Sequence, residues 1–249
     1  MSEEKLFNRI NFTGKGADFS SNMRKRSFFL TYGSWLYFFE PNQDAFDYYL
    51  KTEKLKKYKH IVFCISHVHD DAMNGINTFL TYINERFEGK ETVYIVTRPK
   101  AVVDTLLAAG ILQTYHDKSI IVDELVDVAS LDILTVGMKH GDVDSCGFLV
   151  NDRESKTNDN VFYTGDCDSI PTPILKMFLE GTIKSLISDV TLQTPCDDHI
   201  TFNFFRELVN TYGPTILYRI KFTHFQNEYE YNAITEMVER MIFEHVRVK

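Results

Sequence analysis

The sequence contains few of the residues that hold small secreted folds together. Its four cysteines, Cys64, Cys146, Cys167 and Cys196, are widely spaced and form no CxxC pair. This spacing excludes a cysteine zinc ribbon and argues against a disulfide framework. Cys64 stands in the apolar run 61–65, which favours a buried thiol with a structural role.

Long apolar runs are also missing. No stretch of 18 apolar residues occurs, so the sequence predicts no membrane-spanning helix and no membrane partner. Residues 1–5 carry no apolar segment of the kind found in secretory signals. We therefore expect a cytoplasmic protein.

The chain has no excess of positive charge. Its formal net charge is −8 at pH 7, whereas proteins that bind duplex DNA or structured RNA usually present a strongly basic face. Two small basic clusters occur, at 24–26 and 54–59. We expect the lysines of the second cluster on a solvated face, while Arg24 or Arg26 could attract a single phosphate group. A large nucleic-acid partner is not expected.

The composition is that of an ordinary globular protein. Of the 249 residues, 44% are hydrophobic and 25% are charged, which is too apolar for a disordered chain. Neither an internal repeat nor a Pro/Gly-rich linker divides the sequence, so residues 1–249 are predicted to form one domain.

Apolar runs alternate with helical patterns along most of the chain. This alternation predicts an α/β protein in which helices cover buried sheets. Strands are predicted at 5–12, 27–31, 35–39, 61–65, 93–96, 119–122, 131–136, 148–150, 161–164, 185–187 and 215–217. Helices are predicted at 44–53, 74–86, 100–109, 172–179, 202–210 and 228–245.

The most informative polar residues follow the buried strand that ends at residue 65. His67, His69 and Asp71 alternate there, and alternate residues of an extended segment point the same way, so these three side chains can converge. Imidazole and carboxylate groups are the usual protein ligands of Zn²⁺ and similar ions. An isolated HxH motif is nevertheless weak evidence, because paired histidines are common on exposed strands.

Three further segments place a polar side chain at the exit of an apolar strand. They deliver His140, Asp166 and His224. Functional groups converge at sheet edges, where loops are free to vary. The combined set therefore predicts a metal centre built from histidines and aspartates.

The order HxHxD, then His, then Gly-Asp, then Thr-His resembles that of the metallo-β-lactamase superfamily. Segments 12–16 and 26–30, with Asn22 between them, are also similar to the opening of ribonuclease Z-like members, so the resemblance covers nearly the whole chain. It implies an αββα sandwich that binds two Zn²⁺ ions, with Mn²⁺ as an alternative. In that arrangement a first ion is held by His67, His69 and His140, a second by Asp71 and His224, and Asp166 bridges the two.

One position departs from the family motif HxHxDH. The last histidine is replaced by Ala72, whose methyl group cannot bind a metal, so the second ion loses a nitrogen donor. The replacement is either natural divergence that leaves a weak second site, or an engineered substitution that traps a substrate. In both cases we expect the Ala72→His variant to be more active than this chain.

Two further elements indicate a branch of the superfamily. Segments 188–191 and 199–201 are similar to the Glu-x-Thr and His-x-Thr elements of ribonuclease Z and of cyclic-nucleotide phosphodiesterases. The resemblance implies that His199 protonates the leaving oxygen, that Asp189 orients His199, and that Asp71 belongs to the catalytic set. The alternative is a surface histidine followed by a helix with Thr201 as its N-cap.

The long basic arm with which ribonuclease Z grips tRNA has no counterpart here, because Asp166 comes only 26 positions after His140. Together with the negative charge, this favours a small phosphodiester such as cyclic CMP, cyclic UMP, cyclic AMP or cyclic GMP. The chain resembles phage-encoded anti-Pycsar proteins, which destroy 3′,5′-cyclic nucleotides that bacteria use as immune signals. That resemblance implies a homodimer in the host cytoplasm. The alternatives are a nuclease acting on RNA 3′ ends and, given Ala72, a nucleotide-binding protein that does not cleave.

Overall fold

The computed structural model describes residues 5–17, 23–52, 58–86, 92–114, 120–123, 125–128 and 130–247. Asn22, residues 53–57 and residue 119, which figure in the sequence predictions, lie outside this part. Two six-stranded sheets form the centre of the structure. The first sheet contains, in spatial order, β1 (Asn11–Gly14), β2 (Ser27–Tyr32), β3 (Trp35–Phe39), β4 (His60–Cys64), β5 (Thr92–Val96) and β6 (Ile120–Asp123).

In the second sheet, too, strands that follow one another in the sequence lie side by side. It contains β12 (Ile220–Thr223), β11 (Ser185–Asp189), β10 (Asn160–Tyr163), β9 (Val143–Asp152), β8 (Leu131–His140) and β7 (Leu125–Val128). Strands β3 to β6 are parallel, as are β10 to β12, while the other neighbouring pairs are antiparallel. Both sheets are therefore mixed.

Helices cover the outer faces of both sheets. Against the first sheet lie α2 (Gln43–Thr52), α4 (Ile76–Arg86), α5 (Lys100–Ala108) and α6 (Ile111–Thr114). Against the second lie α7 (Thr172–Leu179), α8 (Phe202–Tyr212), α9 (Glu228–Arg247) and a 3₁₀ helix, Pro214–Arg219. Two single-turn helices, α1 (Leu6–Arg9) and α3 (Asp70–Met73), complete the described elements. None of these helices is both long enough and apolar enough to span a membrane.

Strand β3 shows why the apolar runs are continuous rather than alternating. Tyr37 and Phe39 point into the core between the sheets, while Leu36 and Phe38 pack under the helices on the other face. The Phe39 ring stacks on Phe28 at 4.4 Å between centroids, as expected for a dense aromatic core. A strand buried on both faces needs apolar residues at every position. The predicted αββα sandwich is thereby confirmed.

One predicted strand is wrong in part and another is wrong entirely. The segment 5–12 begins as helix α1 and becomes a strand only at β1. Its apolar residues Leu6, in the helix, and Ile10, at the helix end, are buried without a strand. The segment 215–217 lies in the 3₁₀ helix, which follows Gly213 at a φ of 83° and opens with Pro214. The strand that delivers His224 is β12, which starts later. That the whole chain forms one domain stays a prediction.

The predicted ligands and Asp189 lie where the sheets meet at one edge. His67 follows β4, His140 ends β8, Asp166 follows β10, Asp189 ends β11 and His224 follows β12. The backbone N–H of Cys146 in β9 donates to the carbonyl of Ser66 at 3.0 Å, which ties the second sheet to the segment after β4. Residues distant in sequence are therefore held together by backbone pairing.

Candidate metal centre

The turn after β4 sets the orientation of the first histidines. His69 has extended backbone angles and is the N-cap residue of α3, so Asp70 and Asp71 occupy the first turn of that helix. Carboxylates are favoured there because the free N–H groups of a first turn carry partial positive charge. His67 and Asp71 are buried, with 0% and 1% of their surfaces exposed.

Three histidine rings meet at this turn. The centroids of His67 and His69 are 4.6 Å apart, and each lies 5.2 Å from that of His140. One ring nitrogen from each of the three falls within 4.8 Å of the others. This spacing suits the nitrogen ligands of one tetrahedral ion.

In His67 and His140, hydrogen bonds engage Nδ1 and leave Nε2 available to a metal ion. Nδ1 of His140 lies 2.7 Å from the carbonyl oxygen of Asp198, to which it donates, and Nδ1 of His67 lies 2.8 Å from Oγ of Ser66. Nε2 of His67 is buried and makes no hydrogen bond within the described residues, although Oδ2 of Asp166 is 3.4 Å away. A buried ring nitrogen that makes no hydrogen bond and faces a carboxylate fits the role of a metal ligand. The three histidines therefore fit one divalent ion, and Asp166 lies beside His67 as a further carboxylate donor.

Burial keeps His67, His140 and His224 neutral. It lowers the pKa of His67 well below the usual range, lowers that of His140, and brings that of His224 to about 4. Only the neutral ring has a lone pair for a metal. Burial alone would raise the pKa of Asp71, but the Arg26 guanidinium and His224 hold it well below its usual range. His67, His140 and His224 are thus neutral and Asp71 is ionised, as metal binding requires.

A second group adjoins the first. Nε2 of His224 lies 3.3 Å from Oδ2 of Asp71 and 3.5 Å from Oδ2 of Asp166, so the structure brings the three together as predicted. Ala72 is fully buried beside them. Arg26 also reaches this group, where its guanidinium contacts both carboxylates. The sequence placed Arg26 only in a basic cluster with affinity for phosphate.

Glu40 was not singled out from the sequence either. It follows β3, is fully buried, and accepts hydrogen bonds from the backbone N–H of Ser66 at 3.2 Å and the Tyr163 hydroxyl at 3.1 Å. Burial raises the pKa of this carboxyl to about 7. Glu40 thereby holds the start of the segment that carries His67.

His199 and Asp189 form a pair beside the metal group. Nδ1 of His199 donates to Oδ2 of Asp189 at 2.9 Å, and Asp189 is fully buried. The ring centroid of His199 lies 4.9 Å from that of His140 and 4.4 Å from that of His224. Thr201 is indeed the N-cap residue of α8, but its side chain makes no capping hydrogen bond. The surface-histidine alternative therefore does not describe where His199 lies.

These side chains line a cleft of about 350 Å³. Its lining consists of Ala17, His69, Asp71, His140, Asp166, Asp198, His199, His224 and Gln226. Ala17, Asp198 and Gln226 were missed by the sequence analysis, although the last two stand within two positions of His199 and His224. Nearness in sequence to a candidate ligand is the one signal that could have indicated them.

No family model matches the sequence, and no curated protein matches it significantly. Solved structures do match. The chain is similar to a diphosphatase of the PhnP family, with a TM-score of 0.64 and 17% identity over 87% of this chain and 86% of that one. It is also similar to the short form of human tRNase Z (TM-score 0.64, 17% identity, 88% and 93% covered). A third match is the metallo-β-lactamase fold protein YhfI of Bacillus subtilis (TM-score 0.66, 12% identity, 93% and 92% covered).

This chain has the metallo-β-lactamase fold. At identities of 12–17% these matches show the fold alone. Within that fold, the structure gathers every predicted ligand and the His199–Asp189 pair in one region. His67 and Asp189 are buried there and are not part of the cleft lining. Their roles in binding and catalysis stay predictions.

Proposed function

We propose that this protein is a metal-dependent phosphodiesterase that hydrolyses 3′,5′-cyclic nucleotides. The observation that carries the proposal is the position of His199, which is held by buried Asp189 in the same cleft as a His/Asp group able to bind a divalent ion. A metal site beside a supported proton donor suits the hydrolysis of an ester with a poor leaving group.

The ion we propose is Zn²⁺ or Mn²⁺, held by His67, His69, His140 and Asp166. A bound divalent ion lowers the pKa of a water molecule and neutralises charge on a phosphoryl oxygen. Asp71 and His224 line the same cleft and complete the polar face toward the substrate. Oxygen and nitrogen donors of this kind suit both ions.

His199 supplies the proton that the reaction needs. When water adds to phosphorus, one bond from phosphorus to a ribose oxygen breaks, and that oxygen departs as a poor leaving group unless it is protonated. Asp189 accepts the Nδ1 hydrogen of His199, which leaves Nε2 to carry the proton for the departing oxygen. The product is a nucleoside monophosphate.

The size and charge of the site support a small substrate. The cleft of about 350 Å³ falls in the range of small-molecule sites. Residues 140–166, all described, form the β8–β9 turn, β9 and β10 and carry no inserted arm. The net charge of −8 also disfavours a long polyanion. We extend the proposal to a cytoplasmic homodimer that evades cyclic-nucleotide immune signals, as the anti-Pycsar resemblance implies.

Two other functions each have an observation in their favour. Similarity to the short form of human tRNase Z favours a nuclease acting on RNA 3′ ends. Ala72, which removes a donor from the second site, favours a protein that binds nucleotides without cleaving them. The three functions differ in what happens to the substrate.

A substrate panel separates them. Protein loaded with Zn²⁺ or Mn²⁺ is incubated with cyclic CMP, cyclic UMP, cyclic AMP and cyclic GMP and, separately, with a short RNA that carries a 3′ extension. We expect nucleoside monophosphates from at least one cyclic nucleotide, an intact RNA, and no product from chelator-treated protein. Trimmed RNA beside intact cyclic nucleotides would assign the nuclease. Tight binding of a cyclic nucleotide without turnover would assign the binding protein.

A further inference from the structure

Arg26 is a fully buried cation at the centre of the candidate site. Its Nη2 lies 3.4 Å from Oδ2 of Asp71, and its Nη1 contacts Oδ1 of Asp166. Its side chain has no exposed surface and does not line the cleft. Arg26 therefore cannot reach a phosphate in the cleft, and its charge acts on the two carboxylates.

Asp71 and Asp166 need a positive charge beside them. Both are almost fully buried, and an ionised carboxylate without a partner is costly to bury. In a site with two metal ions, the second ion supplies this charge. Here Arg26 already pairs with both carboxylates from the buried side, and a guanidinium is protonated at every accessible pH.

The position of Arg26 relative to Asp71 resembles that of a metal ligand. Its Nη2 is 3.4 Å from Oδ2 of Asp71, close to the 3.3 Å that separates Nε2 of His224 from the same oxygen. A guanidinium has no lone pair to offer, so it can take up a ligand's place but cannot bind an ion. It also puts a positive charge beside the place where a second ion would lie.

The backbone links this cation to the altered motif. Nδ2 of Asn42 donates at 2.7 Å to the carbonyl of Arg26 and at 2.7 Å to the carbonyl of Asp71, the residue before Ala72. The segment that carries the arginine and the segment that lost the histidine are thus held side by side. The missing histidine at position 72 and the buried guanidinium of Arg26 therefore both affect the surroundings of the same two carboxylates, Asp71 and Asp166.

We propose that the Arg26 guanidinium takes the place of the second metal ion, so that the centre holds one ion per chain. This inference rests on the metal site of the proposed function and not on its substrate. The single ion lies among His67, His69, His140 and Asp166, and Arg26 balances the charge of Asp71. Restoring the histidine alone, as in Ala72→His, leaves the cation in place and adds no second ion. The gain in activity that the motif predicts for Ala72→His is therefore expected only when Arg26 is replaced as well.

The test is the number of ions per chain at saturating Zn²⁺, measured by elemental analysis and native mass spectrometry. We expect one ion for the wild type and one for Ala72→His. The double variant Arg26→Met/Ala72→His is expected to bind two. The matched control is Arg24→Met/Ala72→His, which removes a neighbouring arginine outside the cleft and is expected to stay at one.

The outcomes separate this inference from the proposed function. Two ions in the wild type or in Ala72→His overturn the role of Arg26 but leave a metal-dependent enzyme. No ion in the wild type overturns the proposed function itself. A folded double variant that stays at one ion also overturns the inference. If the methionine variant does not fold, Arg26→Gln/Ala72→His, which keeps a polar side chain, replaces it in the test. The number of ions bound by the wild type tests the inference whether or not either double variant folds.

Discussion

Replacing Asp166 by alanine is expected to remove bound metal and catalytic activity together. Oδ2 of Asp166 lies 3.4 Å from Nε2 of His67 and 3.5 Å from Nε2 of His224, so this oxygen stands between the two ligand groups. Loss of a side chain that merely supports a ligand already costs about 10–100-fold in metal affinity or activity. Loss of the ligand itself is expected to exceed that range in both measurements.

The control for this variant lies two residues along the chain. Asp168 pairs with exposed Lys139 at 3.6 Å and is absent from the cleft lining, so Asp168→Ala is expected to keep both metal and rate. Breaking a buried ion pair can cost roughly 3–5 kcal/mol of stability. Asp166→Asn, which keeps the volume, is therefore measured beside Asp166→Ala, with circular dichroism as a check on folding. An Asp166→Ala protein that is folded, metal-loaded and fully active would contradict the assignment.

Replacing His199 is expected to separate metal binding from turnover. His199→Ala should keep its ion, because His67, His69 and His140 form a set of their own. Its turnover of a cyclic nucleotide should fall by about 10²–10⁴-fold, the usual contribution of a general acid. Asp189→Asn, which keeps the histidine but weakens its support at 2.9 Å, should show a smaller loss.

A substrate with a good leaving group distinguishes proton donation from a structural role. A p-nitrophenyl phosphodiester releases an oxygen that needs no proton, so His199→Ala should hydrolyse it at close to the wild-type rate. Equal losses on both substrates would mean that His199 shapes the site instead of donating a proton. Full activity on cyclic nucleotides would remove it from the mechanism altogether.

The sequence could indicate which side chains meet in the folded protein because each stands at a strand exit. His67 and Asp166 follow strands whose apolar runs are easy to recognise, and His140 ends one. The strand before His224 is β12, which starts later than predicted. Parallel pairing of β10, β11 and β12 then brings their carboxyl ends to one edge. The αββα fold was predictable for the same reason, since strands buried on both faces show as continuous apolar runs.

Arg26 could not be assigned from the sequence. It stands in the run Arg24-Lys25-Arg26, and nothing local distinguishes a buried guanidinium from a solvated one. Its burial depends on Asp71 and Asp166, which lie far along the chain and meet it only in the folded protein. The 3₁₀ helix at Pro214–Arg219 was missed for a different reason: its apolar residues suit a strand as well as a short helix packed on α8 and α9.

The most direct measurement of the central claim is the anomalous scattering of crystals grown with Zn²⁺. The account predicts a peak about 2.0–2.2 Å from the free ring nitrogens of His67, His69 and His140 and from a carboxylate oxygen of Asp166. Crystals that bind Zn²⁺ elsewhere and show no peak among these four side chains would contradict the account.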